Sequence, residues 1–429
     1  MKKKYRIILY TSIFLLCVVA SIILVVKKSN SVYEEESKPK VVKHKSMLSM
    51  NLEQTAGSGD YKTVTQSSWP TEGYKFNAEL SKCENGSTLS WDDTKKAVIM
   101  QGNVSDKCYV YFDIYQPTLA EYIKSQYTGT QGDNGLYYHD SSLANGAGDN
   151  SYRYAGANPN NFVCFGSDAS PCPIDNLYRI IGVFGENYHG ANGKQLVKLI
   201  KYDYMTTDEL GTDGDYSQTY KEWGMDSTYK GTYGDGERIG VYYWNYKATG
   251  SATNTWSTSL LNKTNLNTNF INNIGTTWAN KIATVTWKVG GNTWANIGTK
   301  TSSVAYTNEI TNPVTTNTTD NATTYSAKIG LMYVSDYGFA ASPDAWTLTM
   351  SSYNNTTATN NNWMYMGLYE WTISRNADSS NNAFYVYYDG YVYNYHVNNY
   401  YGVRASFNLE SSVSYVSGSG SMSDPIVIN

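Results

Sequence analysis

The sequence predicts an α+β, β-rich protein with four segments: a single N-terminal transmembrane helix, a polar stalk, a small disulfide-stapled β-module, and a larger domain of many short strands and long loops. Three observations predict it. Residues 7–26 carry no charge; four cysteines follow at paired spacings; and from residue 61 onward short runs of Val, Ile, Tyr and Phe alternate with Gly, Asn and Asp turns.

The N-terminal run, IILYTSIFLLCVVASIILVV, is flanked by MKKKYR and KK. Twenty uncharged residues match the thickness of a bilayer as an α-helix. A secretory signal peptide is the rival reading. Its apolar stretch should be shorter and end at a small-x-small cleavage site, and none follows Val26. LLC at residues 15–17 resembles a lipobox, but Leu16 occupies the place of its small residue. Residues 1–28 therefore read as a cytoplasmic stub and uncleaved signal-anchor. Lysines lie on both sides of the span, so charge does not set its direction. The cysteines do: Cys83, Cys108, Cys164 and Cys172 form two closely spaced pairs, which suggests disulfides and an external compartment for the C-terminal region. The expected place is the cell membrane, crossed once.

Charge excludes one class of partner. Residues 1–45 hold ten of the 33 basic and three of the 37 acidic residues, leaving 23 against 34, or −11, for the remainder. Phosphate backbones need clustered positive charge, so nucleic acid is not an expected partner. Charged residues are 16% of the chain, against roughly 25% in average domains. The surface must be largely neutral and polar, with 41 tyrosines in it or beneath it.

Residues 29–60 are polar, charged and without periodicity, and read as a stalk. Residues 61–116 form the β-module: KKAVIM and CYVYFDIY read as strands, ENGS and GNVSD as turns. A Cys83–Cys108 bridge would close a 25-residue loop, worth about 3 kcal/mol in a unit too small to do without a staple. Residues 117–429 make the large domain. PTLAEYIKSQY is an amphipathic helix, with Leu119, Tyr122, Ile123 and Tyr127 on one face. The Gly-, Asp- and Asn-rich stretch after it reads as loop-heavy. Cys164 and Cys172 close CFGSDASPC, and LYRIIGVF and QLVKLIKYDY follow as a strand pair.

Two stretches carry a family likeness. NNWMYMGLYEWTISR (361–375) and YYGVRASFNLES (400–411) resemble the C-terminal half of the C-type-lectin fold. The resemblance is closest to formylglycine-generating enzymes and to the variable proteins of diversity-generating retroelements. The matching features are Gly367, Tyr369–Thr372 and Gly402–Phe407, with Ala405 where Pro is common. LYRIIGVF and residues 328–340 are similar to core segments of the same family. CENGS…WDD…DKCYVYFD likewise resembles a small module of Gram-positive bacterial surface proteins, which implies a spacer role. The residues themselves place Trp371 and Tyr369 in a core strand and require a partner for Arg404, with Glu370 and Glu410 as candidates.

Between the two motifs lies NAFYVYYDGYVYNYHVNNYYGVR, with eight tyrosines in 23 residues. The resemblance implies that diversified residues are displayed here. Tyr, Asp and His are the products of first-base changes in an Asn AAY codon, and Tyr, Asn, Asp and His fill 13 of the 17 positions from 385 to 401. The expected ligand-binding residues are Tyr385, Tyr387, Tyr388, Asp389, Tyr391, Tyr393, Asn394, Tyr395, His396, Asn398, Asn399 and Tyr400, with Tyr401 in the same set. Tyr gives large amphipathic contact at low entropic cost. The plainer reading is a half-buried hairpin turning at Asp389–Gly390, and the two agree if one face is free. An external protein or a carbohydrate would both suit such a surface.

Catalysis finds little support. The enzyme branch of the likeness depends on C-terminal cysteines, and none follows Cys172. The four histidines lack zinc spacing. YYHDSS sets His139, Asp140 and Ser142 side by side, which is no evidence for a triad. No cofactor or metal is expected, save that GTDGDY (211–216) and GDGE (234–237) leave Ca²⁺ open; isolated Asp-Gly pairs are usually turns. The expectation is a membrane-anchored ligand-binding protein of adhesin or receptor type. The alternative is a structural surface protein without a specific ligand, and after that an enzyme acting on envelope polymers.

Overall fold

A computed structural model describes residues 48–429 apart from 66–67, 71–72, 104, 191–192, 225–226 and 315–321. The expected membrane span at 7–26 lies outside the described residues. Among those described, no helix is long and apolar enough to cross a membrane. The chain is α+β and strand-rich, and divides into two compact units, Met1–Gln116 and Pro117–Asn429.

Among its described residues the smaller unit has seven strands: β1 (Leu48–Glu53), β2 (Tyr61–Val64), β3 (Tyr74–Phe76), β4 (Lys82–Cys83), β5 (Thr88–Asp92), β6 (Ala97–Gln101) and β7 (Cys108–Ile114). One sheet runs β2-β1-β7-β3, with β4 also on β7, and β5–β6 is a separate hairpin. Here the stalk reading is corrected. Residues 48–53 are not stalk but the strand between β2 and β7, antiparallel to the first and parallel to the second. The reason is visible in LSMNLE: Leu48, Met50 and Leu52 alternate with polar residues, the period of a half-buried strand. Met50 and Leu52 meet Val110 and Phe112 in the core, with Trp69, Phe76 and Trp91 packed against them. The Cys83–Cys108 disulfide forms as the spacing predicts and ties β4 to the first residue of β7.

The larger unit is built on β8 (Leu136–His139), β9 (Ser151–Tyr154), β10 (Phe162–Cys164), β11 (Leu177–Phe184) and β12 (Leu196–Lys201). The sheet is completed by β17 (Ile329–Gly330) and β22 (Ser406–Asn408), in the order β17-β22-β12-β11-β9-β8, with β10 on β11. Every residue of β11 and β12 is buried, as their apolar runs require. Their charged exceptions are all paired: Arg179 Nε donates to Asn161 Oδ1 at 2.7 Å, Lys198 meets Asp336 at 2.6 Å and Lys201 meets Glu209 at 2.8 Å. Gly182 is there because β9 crosses at this point; a Cβ would lie 2.2 Å from the Tyr152 carbonyl oxygen. The loop-heavy stretch before Phe162 also contains the antiparallel β8–β9 pair.

The predicted helix spans Leu119–Ser125. It opens with a Thr118/Glu121 capping box and turns Leu119 and Ile123 inward. The Cys164–Cys172 disulfide also forms. Smaller sheets frame the site: β13 (Tyr216–Thr219), β14 (Gly240–Tyr243) and β21 (Tyr400–Tyr401) in one, and β18 (Glu370–Arg375), β19 (Asn382–Val386) and β20 (Val392–His396) in another. The pairs β15 (Val285–Lys288) with β16 (Thr324–Ala327), and β23 (Tyr415–Ser417) with β24 (Val427–Ile428), complete the strands described.

The two family-like stretches meet. Trp371 donates its backbone N–H to the Gly402 carbonyl at 3.0 Å, and Arg404 Nε donates to Glu370 Oε1 at 2.8 Å with both side chains buried. Glu370, not Glu410, is the partner that the buried guanidinium requires. Trp371 is wholly buried. Trp363 is also buried and bonds the Tyr154 carbonyl, so it packs rather than faces solvent.

Candidate functional site

The tyrosine-rich stretch folds as a hairpin. β19 and β20 pair from Asn382↔His396 to Val386↔Val392, and the ladder extends to Tyr387 and Tyr391, whose N–H and C=O bond at 2.8 Å. The loop closes where Gly390 adopts φ 105°, the position at which three-residue hairpin loops use glycine. A Cβ there would also meet the Tyr353 carbonyl oxygen at 2.9 Å. Tyr337 and Tyr365 donate hydroxyl bonds to the Gly390 and Tyr388 carbonyls, both at 2.7 Å, and so fix the loop from beneath.

Period two divides the hairpin. Phe384, Val386 and Val392 are buried on one face. The other face carries Tyr385, Tyr387, Tyr391, Tyr393 and Tyr395 in cross-strand register. Burial then grades along it. Tyr385 is 3% exposed, and its ring meets Tyr401 at 4.6 Å and Trp371 at 5.8 Å; it belongs to the core and offers a ligand nothing, and Tyr401 is buried beside it. Tyr387, Tyr388, Asp389, Tyr391, Asn394, Asn399 and Tyr400 are half-buried. Tyr393 and Tyr395 are 40% and 46% exposed, and His396 and Asn398 are exposed with them. Of the twelve residues expected to bind, these four present the most surface.

The half-buried tyrosines are held by other rings. Tyr387 and Tyr391 stack at 4.6 Å, and Tyr369 meets Tyr387 edge-on at 4.6 Å and Tyr388 at 5.4 Å. Burial, then Tyr387 and Asp389 nearby, pushes the Tyr391 hydroxyl up to about 12, so it stays a neutral donor and acceptor at physiological pH. Asn394 Oδ1 accepts from both Asn376 and Asn382 Nδ2, at 3.0 and 2.9 Å, which orients its amide.

Residues far away in sequence join this surface. Trp294 packs edge-on against Tyr393 at 4.9 Å. Trp223 meets Tyr369 at 5.1 Å and Tyr400 at 5.8 Å, while Tyr243 meets Tyr400 at 5.5 Å and the exposed Tyr246 at 4.5 Å. None of Trp223, Tyr243, Tyr246 or Trp294 was expected from the sequence. They come from three segments remote from the hairpin in sequence, brought in by pairings such as β14 with β21.

The other candidates are spent on structure. Asp140 accepts from Ser142 Oγ at 2.6 Å, while the buried His139 accepts through Nδ1 from the Ala147 N–H at 3.1 Å, so the three adjacent residues form no relay. Burial, then the Arg153 charge, holds His139 well below its usual range and hence neutral. In the two Asp-Gly loops, Asp215 accepts the Tyr246 and Leu261 N–H groups, Asp213 accepts from Asn269, and Asp235 accepts the Glu237 N–H. Among the described residues no group of three or more His, Cys, Asp or Glu is placed to hold a metal ion.

A buried polar cluster went unpredicted. Asp336 accepts from Lys198 at 2.6 Å and from the Tyr188 hydroxyl at 2.7 Å. Nearby, Glu309 accepts the Val334 and Ser335 N–H groups and the Ser374 hydroxyl. Burial pushes the Glu309 carboxyl up to about 7, against the pull of those bonds. The cluster lies wholly inside, where it orders the helix Val334–Ala340.

The chain matches no protein-family description, no curated protein and no solved structure.

Proposed function

We propose that this is a single-pass membrane protein whose external region binds a ligand, in the manner of an adhesin or receptor, through the tyrosine face of the β19–β20 hairpin. The observation that carries the reading is the convergence on that face of aromatic residues from separate segments. Trp294 packs on Tyr393 and Tyr369 on Tyr387 of a hairpin that leaves Tyr393 and Tyr395 40% and 46% exposed, and Trp223, Tyr243 and Tyr246 reach it indirectly, through Tyr369 and Tyr400. Rings fixed by their neighbours bind with little loss of freedom. The hairpin lies between the two stretches that resemble the C-type-lectin fold of retroelement variable proteins, and the Glu370–Arg404 pair between those stretches supports assigning the larger unit to that fold. Two disulfides support an external, oxidising place for both units. The ligand is an external protein or a carbohydrate, bound by ring contact and by Tyr, Asn and His hydrogen bonds.

A structural role without a specific ligand is favoured by one observation: Tyr369, Tyr387 and Tyr391 cover much of one another. Glycan and surface-protein arrays probed with the intact chain in detergent separate the two. The proposal expects a hit that disappears when Tyr393, Tyr395, His396 and Asn398 are changed together to Ala in a protein that still folds. The structural reading expects no hit, or a hit indifferent to those changes.

A further inference from the structure

Among the described residues, the smaller unit sets its first and last strands side by side and parallel, β1 with β7, in register from Leu48↔Cys108 to Leu52↔Phe112. The chain enters β1 at its N-terminal end and leaves β7 at its C-terminal end. In a parallel pair those points lie at opposite ends of the ladder. Tension along the chain therefore draws the two strands past each other along their axes, and the evenly spaced bonds between them bear the load together. With the first and last strands antiparallel, both ends would lie on one side and the bonds would break in succession.

We infer that this unit is a load-bearing spacer in which the β1–β7 ladder is a shear clamp. Side chains reinforce the same plane. Met50 and Leu52 share one core with Val110 and Phe112, so sliding β1 also drags apolar surface past apolar surface. Asn51 Nδ2 donates to the Val110 carbonyl at 3.3 Å, and the buried Glu53 carboxylate accepts the Ile114 N–H at 2.9 Å, where β7 ends. The other edge of β7 is secured along its length. β4 and the Cys83–Cys108 bridge hold its start, and β3 holds it from Phe112 to Ile114. Strand β7 cannot be drawn out alone, and the load crosses to β1. The clamp geometry is independent of what the tyrosine face binds. Only the source of the load, a ligand gripped by the larger unit against an anchored N-terminus, rests on the function proposed above.

Single-molecule force spectroscopy of the intact chain in detergent tests the clamp by changing direction of pull and nothing else. In one geometry handles are attached at the two chain ends. In the other, the first handle is inserted at the exposed Gly57, in the β1–β2 turn, where a Cβ meets nothing within 4 Å. That handle lies beside the end of β7 and peels the ladder. Reduction identifies the unit's own unfolding step. Freeing the 25-residue separation between Cys83 and Cys108 lengthens it by about 9 nm, whereas the eight-residue separation in the larger unit adds about 3 nm. Because five register pairs share the load in shear, the end-to-end unfolding force should exceed the Gly57 force at least about twofold at equal loading rate. Equal forces, or a higher force from Gly57, would overturn the clamp. Neither measurement uses a ligand, so its failure would leave the binding proposal standing.

Discussion

Replacing Arg404 by Met removes the cation on which the centre of the larger unit depends. Arg404 is 1% exposed; its Nε holds Glu370 at 2.8 Å, and another guanidinium nitrogen donates to the Met364 carbonyl at 2.7 Å. Met fills similar volume but leaves the Glu370 carboxyl buried without a countercharge. Burial already drives that carboxyl upward in pKa, with Arg404 the main force against it, so the variant should bury Glu370 protonated. Breaking a buried pair in this way costs about 3–5 kcal/mol. At roughly 1.5 °C per kcal/mol for a unit of this size, the Tm should fall by about 5–7 °C. Changing Glu370 to Gln as well removes the stranded acid, so the double variant should be less damaged than the sum of the two single changes by at least about 1.5 kcal/mol. Tryptophan fluorescence across a denaturant series reads all four proteins. A cost below about 1 kcal/mol for Arg404→Met, or strict additivity in the cycle, would refute the argument.

Other consequences can be checked in the same way. Glu309 titrates near 7 when folded, against an ordinary 4.5. Its stabilisation is therefore complete below about pH 4.5 and is lost as pH rises through 7, a change of about 3 kcal/mol. Denaturant midpoints at pH 5 and pH 8 should show that Glu309→Gln abolishes this contribution to the slope; parallel pH profiles would contradict it. Replacing Cys83 and Cys108 by Ala should cost the smaller unit about 3 kcal/mol, read from its own melting transition, and a loss under about 1 kcal/mol would mean that the staple is dispensable. Tyr385→Ala should cost about 3–5 kcal/mol as a core truncation, while Tyr395→Ala should stay within about 0.5 kcal/mol of the parent. Similar melting shifts for the two would put the division of the hairpin in error.

What the sequence made legible was what local chemistry dictates. A guanidinium buried in the core needs an acid, and Glu370 supplies it. Runs such as LYRIIGVF and QLVKLIK announce buried strands, and the cysteine spacings announce both bridges. The alternation in LSMNLE was equally local, but the charged residues before it hid it within a stalk. Two things could not be read locally. The period-two pattern of YVYNYH is the same whether the tyrosines face core or water, and only the third strand, which brings Trp371 against Tyr385, decides it. The Lys198–Asp336 contact joins residues 138 positions apart, as the tyrosine face joins Trp294 to Tyr393. Such juxtapositions are properties of the fold alone.

We propose that ligand binding takes place at the exposed end of the hairpin. It is tested most directly by the Kd of the array-identified ligand for the intact chain and for the Tyr393→Ala/Tyr395→Ala variant, each with an unchanged melting curve. A ring contact at the centre of an interface is worth about 2 kcal/mol or more, so losing even one of the two contacts should weaken binding about 30-fold or more. An affinity within about threefold of the parent would place the binding site elsewhere on the molecule and contradict the account.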